Sequence, residues 1–359
     1  MTEPARPDKA NRASIRLHPA LEWLPFEWNG PLIRTPNRRI VGVGQTESFE
    51  TADRGRSWKK RPLFVYKSSD KEFKLSHERA MCRTPKGALV VGFMNLNEKL
   101  WLWRDDLHDT LPGNRLPQYV MRSEDGGRTW EPPVMLHEEW TGEVRDLIVT
   151  RSGKLVLSSM KMARQPGRHT VLSYVSEDDG KSWTASSAID LGGCGHHGGV
   201  TEATIEQLND GRIWMLLRTN WGRFWQAFSE DEGRSWRRIE PSAIESSSAP
   251  GLVKRLASGR LALFWNRPFP EGETEAPLKG GDGLWSEVPV SNHRAELSMA
   301  FSDDDGKTFG APVVIARKAG AWLSYPRLLE AKPGELWLTT MQGGLAVRLR
   351  EKDFVGPYR

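Results

Sequence analysis

Ser229–Trp236, SEDEGRSW, is one of five copies of a single motif. The others are Thr51–Trp58 (TADRGRSW), Ser123–Trp130 (SEDGGRTW), Ser176–Trp183 (SEDDGKSW) and Ser302–Phe309 (SDDDGKTF). All five fit Ser/Thr-x-Asp-x-Gly-x-Ser/Thr followed by Trp or Phe. Self-similarity of this kind marks a repeat architecture and takes precedence over any local reading. The template describes an anchored turn. The Asp carboxylate accepts backbone N–H groups across it, and the Gly supplies a left-handed conformation. The closing aromatic is large enough to fill a seam between sheets. The distal Glu and the further oxygen ligands of a calcium loop are missing, so the motif reads as structural.

A second repeat lies upstream of each copy. An apolar alternation runs into a tight turn and returns as a strongly apolar strand. The copies begin at Pro31, Arg79, Arg145, Glu202, Ala249 and Tyr325, as in EATIEQLNDGRIWMLLRTN and YPRLLEAKPGELWLTTM. Each is a two-stranded hairpin, and all but the last are followed by the Asp-containing turn. Six hairpin pairs predict six four-stranded antiparallel blades, an all-β, six-bladed β-propeller. Residues 1–13 are polar and are expected to lack structure. Residues 14–359 are expected to form one domain, with Ser14–Trp28 adding an outer strand to the last blade and closing the ring.

The composition agrees. The 359 residues include 16 Trp, 34 Gly and 23 Pro, suited to a turn-rich β protein with aromatic seams. A net charge of +5 without a Lys/Arg run argues against a nucleic-acid partner and suits an anionic small substrate or glycan. Cys82 and Cys194 cannot form a disulfide framework. No stretch approaches the ~18 apolar residues of a membrane-spanning helix. The first residues lack the apolar core of a signal peptide, so a cytoplasmic location is expected for the chain as it stands.

The five turns are Asp-boxes, also called BNR repeats, and through them the chain resembles the sialidase (neuraminidase) superfamily. The resemblance implies boxes on the turn between the two outer strands of each blade, away from the catalytic face. In the last three blades it extends to single residues. Glu202 and Arg218 match the family's Glu at an inner-strand start and the Arg on the next strand. Arg294, before the fifth box, and Tyr325, at the last inner-strand start, match its next Arg and its Tyr. The resemblance then implies a Tyr325 nucleophile activated by Glu202, because a carboxylate nucleophile would be repelled by the carboxylate of a sialic acid. Arginines would clamp that group with bidentate bonds.

The first half departs from the family. Its opening Arg-Ile-Pro motif is absent. Arg34 is displaced from the motif position, and Arg79, at a strand start one blade further round, is expected to complete the carboxylate clamp with Arg218 and Arg294. The general acid would come from Asp105, Asp106 or Asp109 in WRDDLHDTLPGNR, with Asp106 the first choice, or from a His of the GGCGHHGG stretch, Gly192–Gly199. His196 and His197 suit acid/base work or substrate contact better than metal binding. Arg145, at another strand start, and Trp285, in the long insertion between Asn266 and Arg294, complete the expected substrate contacts. No cofactor or metal is expected.

The leading expectation is an exo-acting glycoside hydrolase removing a terminal anionic sugar, sialic acid foremost. A uronate-directed glycosidase or lyase using the His loop, and a non-catalytic glycan-binding propeller, stand beside it, since fold alone does not choose among them.

Overall fold

The computed structural model describes residues 3–64 and 71–356. Its sheets follow the repeat. Blade one comprises Leu32–Arg34, Ile40–Val43, Glu47–Thr51 and Lys59–Pro62, and blade two Leu75–Arg83, Leu89–Asn95, Arg115–Ser123 and Val134–Glu139. Blade three comprises Leu147–Val149, Leu155–Ala163, Arg168–Ser176 and Thr184–Ala185, and blade four Thr201–Gln207, Ile213–Arg218, Arg223–Ser229 and Arg237–Glu245. Blade five is built from Leu252–Arg255, Leu261–Trp265, Glu296–Ser302 and Val313–Arg317. Every pairing within the blades is antiparallel. This is the six-bladed propeller that the hairpin count predicts.

Blade six has Ser324–Lys332, Glu335–Gln342 and Ala346–Arg350 from the end of the chain, and its outer strand, Glu22–Trp23, from the beginning. Glu22 pairs with Arg348 and Trp23 with Val347, closing the ring as expected. The same N-terminal stretch does more than was foreseen. Arg16–Leu17 adds a fifth strand to blade five, against Ala316 and Arg317. Residues 9–13, expected to lack structure, form a short helix, Lys9–Ala13, because the Asp8 carboxylate caps it by accepting from the Ala10 and Asn11 N–H groups. Residues 1 and 2 lie outside the described part.

All five Asp-boxes sit between the third and fourth strands of blades one to five and share one set of bonds. In blade four the Ser229 hydroxyl donates to Asp231 (2.7 Å) and accepts from the Gly233 N–H (2.7 Å), while Asp231 also accepts from the Ser235 N–H (2.8 Å) and hydroxyl (2.6 Å). The residue before the Gly is left-handed too: Arg54, Asp179, Glu232 and Asp305 have φ between 57° and 68°, and Gly126 fills that place in blade two. The sequence reading assigned that conformation to the Gly alone. The boxes also reach the preceding blade. Ser173 of blade three donates to the Gly233 carbonyl (2.6 Å) and accepts from the Trp236 indole (2.9 Å), and Ser48 of blade one donates to the Gly127 carbonyl (2.9 Å). A side chain on Gly233 would meet Val156 at 2.7 Å, and one on Gly55 would meet Phe26 at 2.6 Å.

Aromatic residues fill the seam of ring closure. Phe26 and Trp28 are buried against Phe49, Trp58 and Trp337. Each large buried side chain of this kind stabilises the fold by roughly 1.5–3 kcal/mol. The strand order fixes the two faces. Inner strands start at one mouth of the ring, third strands end at the other, and the boxes therefore lie opposite the inner-strand starts. The two long insertions join second to third strands and so rise at the inner-strand mouth, where Trp103–Arg104 pairs with Asp109–Thr110 and Leu278–Lys279 with Val290–Ser291.

Ser229→Ala removes the acceptor of the buried Gly233 N–H, and a buried donor left unmade costs about 1–3 kcal/mol. The urea midpoint should fall with the m-value unchanged. An unchanged midpoint would show that the boxes do not hold the seams.

Candidate active site

Tyr325 and Glu202 stand at the starts of their inner strands, in blades six and four, and both have left-handed backbones, with φ of 61° and 41°. Neither residue type favours that region, and such strain persists only where surrounding contacts enforce it. At Glu202 the cause is visible in the ladder. Thr201 pairs with Arg218 and Thr204 with Leu216, so the inner strand carries one extra residue between them. A bulge of this kind re-aims a side chain, and here it turns Glu202 towards Tyr325.

The Tyr325 hydroxyl donates to Glu202 Oε1 at 2.8 Å. Arg218 Nη1 donates to Glu202 Oε2 and lies 3.5 Å from the Tyr325 oxygen. The other side of the Arg218 guanidinium donates to Ser248 Oγ (2.9 and 3.3 Å), which itself donates to Asn220 Oδ1 at 2.6 Å. Arg294 is held by Asn292 (2.9 Å), Gln342 (3.1 Å) and the Ser248 carbonyl, with its guanidinium 5.6 Å from the Tyr325 ring centre. The Arg145 guanidinium is 5.7 Å from the same ring and bonds the Pro326 carbonyl. Tyr325, Glu202, Arg218, Arg294 and Arg145 are thus brought together.

Burial alone would raise the Glu202 carboxyl, but the charges of Arg218 and Arg294 and the bonds to it outweigh that and bring it well below the usual carboxylate range. Burial and the Glu202 charge push the Tyr325 phenol up. The resting pair is therefore a neutral phenol bonded to a carboxylate.

A cavity of about 350 Å³ opens beside Glu202 and Arg218. Its wall includes His169, His196, His197, Trp101, Trp140 and Lys99. The His loop is held between the two insertions: the His196 N–H donates to the Leu284 carbonyl (3.0 Å) and the His197 N–H to the Trp285 carbonyl (2.9 Å) of one, and the Trp103 ring of the other lies edge-on to His196 at 5.7 Å. The Nδ1 atoms of His196 and His197 face each other at 2.6 Å, so one proton bridges them. His169 Nε2 meets the His196 carbonyl at 2.9 Å, which makes Nε2 the protonated nitrogen and leaves Nδ1 bare and buried at the cavity. Burial, helped by Arg218 and the neighbouring imidazoles, brings His197 down to about 2, and burial lowers His169 to about 4, so both are neutral at ordinary pH. Among the described residues, no group of three or more His, Cys, Asp or Glu could hold a metal ion.

Six residues considered for the site lie elsewhere or are already engaged. Arg79 is fully buried and donates to the backbone carbonyls of Val43 (2.8 Å), Ser76 (2.5 Å) and Gly30 (3.1 Å). It stitches blade one to blade two and cannot also clamp a substrate carboxylate. Arg34 lies beside the hairpin turn of blade one, at the opposite end of its strand from the mouth. Asp106 is exposed and bidentate to Arg104, because the 3-10 turn Asp105–Leu107 and a left-handed His108 direct the carboxylate outwards. Asp105 and Asp109 do not line the cavity either; Asp109 is buried and accepts from the Thr110 and Gln165 N–H groups. Trp285 is 7% exposed, with one face stacked on His197 at 5.4 Å and Lys279 5.1 Å from its ring centre. It supports the His loop instead of offering a sugar platform.

The sequence reading missed Trp101, Trp140, Lys99 and His169 as wall residues. His169 is the second residue of the third strand of blade three, Arg168–Ser176, and its sequence setting, RHTVLSYV, gives no signal. Glu143 and Ser248, which precede the inner strands of blades three and five, carry no motif that would assign them a role. A larger cleft, about 840 Å³, lies between blades four and five along the fifth box, and none of its wall residues belongs to the Tyr325 cluster.

Among solved structures, a protein of unknown function from Dyadobacter fermentans superposes with a TM-score of 0.61 at 15% identity, over 93% of this chain and 98% of that one. The NanB sialidase of Streptococcus pneumoniae gives 0.61 at 12% identity, over 97% and 73%. The intramolecular trans-sialidase of Ruminococcus gnavus gives 0.60 at 12%, over 92% and 96%. At these identities the likeness is one of fold. No curated protein matches the chain. Residues 50–338 match the family described as the BNR repeat-like domain, and the chain belongs to that family of Asp-box propellers.

Proposed function

We propose that the protein is an exo-acting glycosidase of the sialidase type that removes a terminal anionic sugar and passes through a Tyr325 glycosyl intermediate. The observation that carries this reading is the 2.8 Å bond from the Tyr325 hydroxyl to Glu202, held beside Arg218. Tyr325 Oη attacks the anomeric carbon as the bond to the leaving oxygen breaks, and its proton passes to Glu202 Oε1. Water then attacks the same carbon as its bond to Tyr325 Oη breaks; Glu202 returns the proton to Tyr325, the water gives its proton to the group that protonated the leaving oxygen, and configuration is retained. Arg218 and Arg294 receive the sugar carboxylate. A sialic acid fits best, because its carboxylate is borne on the carbon that Tyr325 attacks.

The leaving oxygen faces the His wall, since none of the loop carboxylates lines the cavity. His197 serves as the donor from Nε2, its Nδ1 accepting the proton that lies between it and His196, and the attacking water later restores the Nε2 proton. A neutral imidazole is a weak acid, so glycosides with good leaving groups should depend on it least.

The neutral imidazoles also favour one second reading, a uronate lyase in which His197 or His169 takes a proton from the ring carbon beside the carboxylate. Its unsaturated product would absorb in the ultraviolet, whereas a hydrolase product would not.

Fluorophore release from an aryl sialoside tests the first reading. Tyr325→Phe should lose at least about 100-fold in kcat, and Glu202→Gln about 10²–10⁴-fold. Wild type inert on sialosides but active on uronate glycans would move the substrate, and retained activity in Tyr325→Phe would overturn the mechanism. His197→Gln should slow an unactivated sialoglycan at least tenfold more than the aryl glycoside; equal loss on both would remove His197 as proton donor. Arg294→Lys should raise KM about tenfold with the fold intact, because Lys reproduces a bidentate clamp poorly. Arg79→Leu should instead lower the free energy of unfolding, by about 1 kcal/mol or more for each carbonyl left bare.

A further inference from the structure

Glu143, just before the inner strand of blade three, is 2% exposed, and neither carboxyl oxygen has a hydrogen-bond donor among the described residues. Arg145 Nη1 approaches no closer than 3.7 Å, and its Nη2 is committed to the Pro326 carbonyl. The group that Glu143 does meet, in hydrogen-bonding contact, is the carboxyl of Glu202. Two carboxylates have only acceptors to offer each other, so this contact is attractive only if one carries a proton. Glu202 already receives a hydrogen bond from Tyr325 and one from Arg218, which favour its anion. The proton therefore resides on Glu143.

The charged and titratable surroundings agree. Glu202 and Glu78 face Glu143 from blades four and two, Tyr325 and Arg327 from blade six, and Arg145 from its own strand start. Burial and the two carboxyl neighbours drive the Glu143 proton affinity up, against the opposing charges of Arg145, of Arg327 and of Arg218 from blade four.

We propose that Glu143 is a positioning residue that stays protonated and donates its hydrogen bond to Glu202, fixing the carboxylate that takes the Tyr325 proton. This rests on the assignment of Tyr325 and Glu202 above. Three contacts then hold Glu202 from three blades: Tyr325 from six, Arg218 from four and Glu143 from three. A second negative charge at Glu143 would repel Glu202 and break the alignment, so the base works only while its neighbour is neutral.

The state of Glu143 can be read without any substrate. A raised folded affinity means that both states hold the proton below about pH 4.3. Above that, the unfolded chain releases it while the folded one keeps it. Wild type then loses stability as pH rises, up to the folded titration point. Glu143→Gln, neutral throughout, should therefore gain Tm over wild type progressively from about pH 4.3 upward. A protonated-carboxyl infrared band at pH 7, lost in Glu143→Gln, should accompany it. A pH-independent Tm difference, or no such band, means that Glu143 is an anion paired with Arg145 and overturns the proposal, whatever the enzyme cleaves.

The kinetic arm uses the substrate that wild type turns over. Glu143→Leu should lower kcat about 10–100-fold with KM little changed, and Glu143→Gln should restore the rate while removing the falling limb of the profile at high pH. A falling limb unchanged in Glu143→Gln would show that Glu143 does not position the base. Loss of activity in Glu143→Gln equal to that in Glu143→Leu would show the same.

Discussion

The clamp between each Asp-box and the blade before it carries the architecture. A propeller blade twists and exposes two faces, and only contact with its neighbours buries them. The box Gly residues approach the preceding blade so closely that a methyl group would collide with it, at Val156 for Gly233 and at Val90, at 2.9 Å, for Gly180. Hydroxyls of Ser48 and Ser173 reach across to box carbonyls, so polar bonds as well as apolar contact fix the angle between blades. Because these clamps lie at the far ends of the third strands, the inner-strand starts at the other mouth are released from structural duty. They can carry charge.

They carry a great deal of it. Glu202, Arg218, Arg294 and Arg145 converge around Tyr325 where little water reaches, and isolated ions there would be strongly destabilising. The cluster persists because each ion is held by several groups from different blades. Arg218 is shared among Glu202, Tyr325 and Ser248, and Ser248 is shared between Arg218 and Asn220. Rigidity is the gain: a site built on strand starts and cross-blade bonds holds its reacting atoms without reorganisation.

The architecture was legible because it repeats. Five Asp-boxes and six hairpins each voted for the same blade, and strand pairing followed. Within the site, Glu202, Arg218, Arg294 and Tyr325 could be read because each lies at a fixed place in a blade. Arg79 occupies an equally good place and misled, since the ladder of blade two slips between Leu75 and Arg79 and sends the side chain into the backbone of blade one. Asp106 and Trp285 misled for another reason. They belong to insertions outside the repeat, where a single left-handed residue or a stacked ring decides direction. His169 and the Glu143–Glu202 contact were beyond reach, because each depends on which side chains of different blades meet.

The closure of blade six by Glu22–Trp23 bears on the order of events during synthesis. The segment that completes the last blade leaves the ribosome before the first strand of blade one and must wait, unpaired, until Ala346–Arg350 appears more than 320 residues later. Local hairpins can form as they emerge, but the ring cannot shut. Until it does, the aromatic seam around Phe26, Trp28 and Trp337 is open to solvent. Pairings so distant in sequence form slowly, and apolar surface left waiting invites association between chains. A nascent chain is thus most vulnerable at the two partners of blade six at once, and the arrival of Ala346–Arg350 is also the signal that the ring is finished.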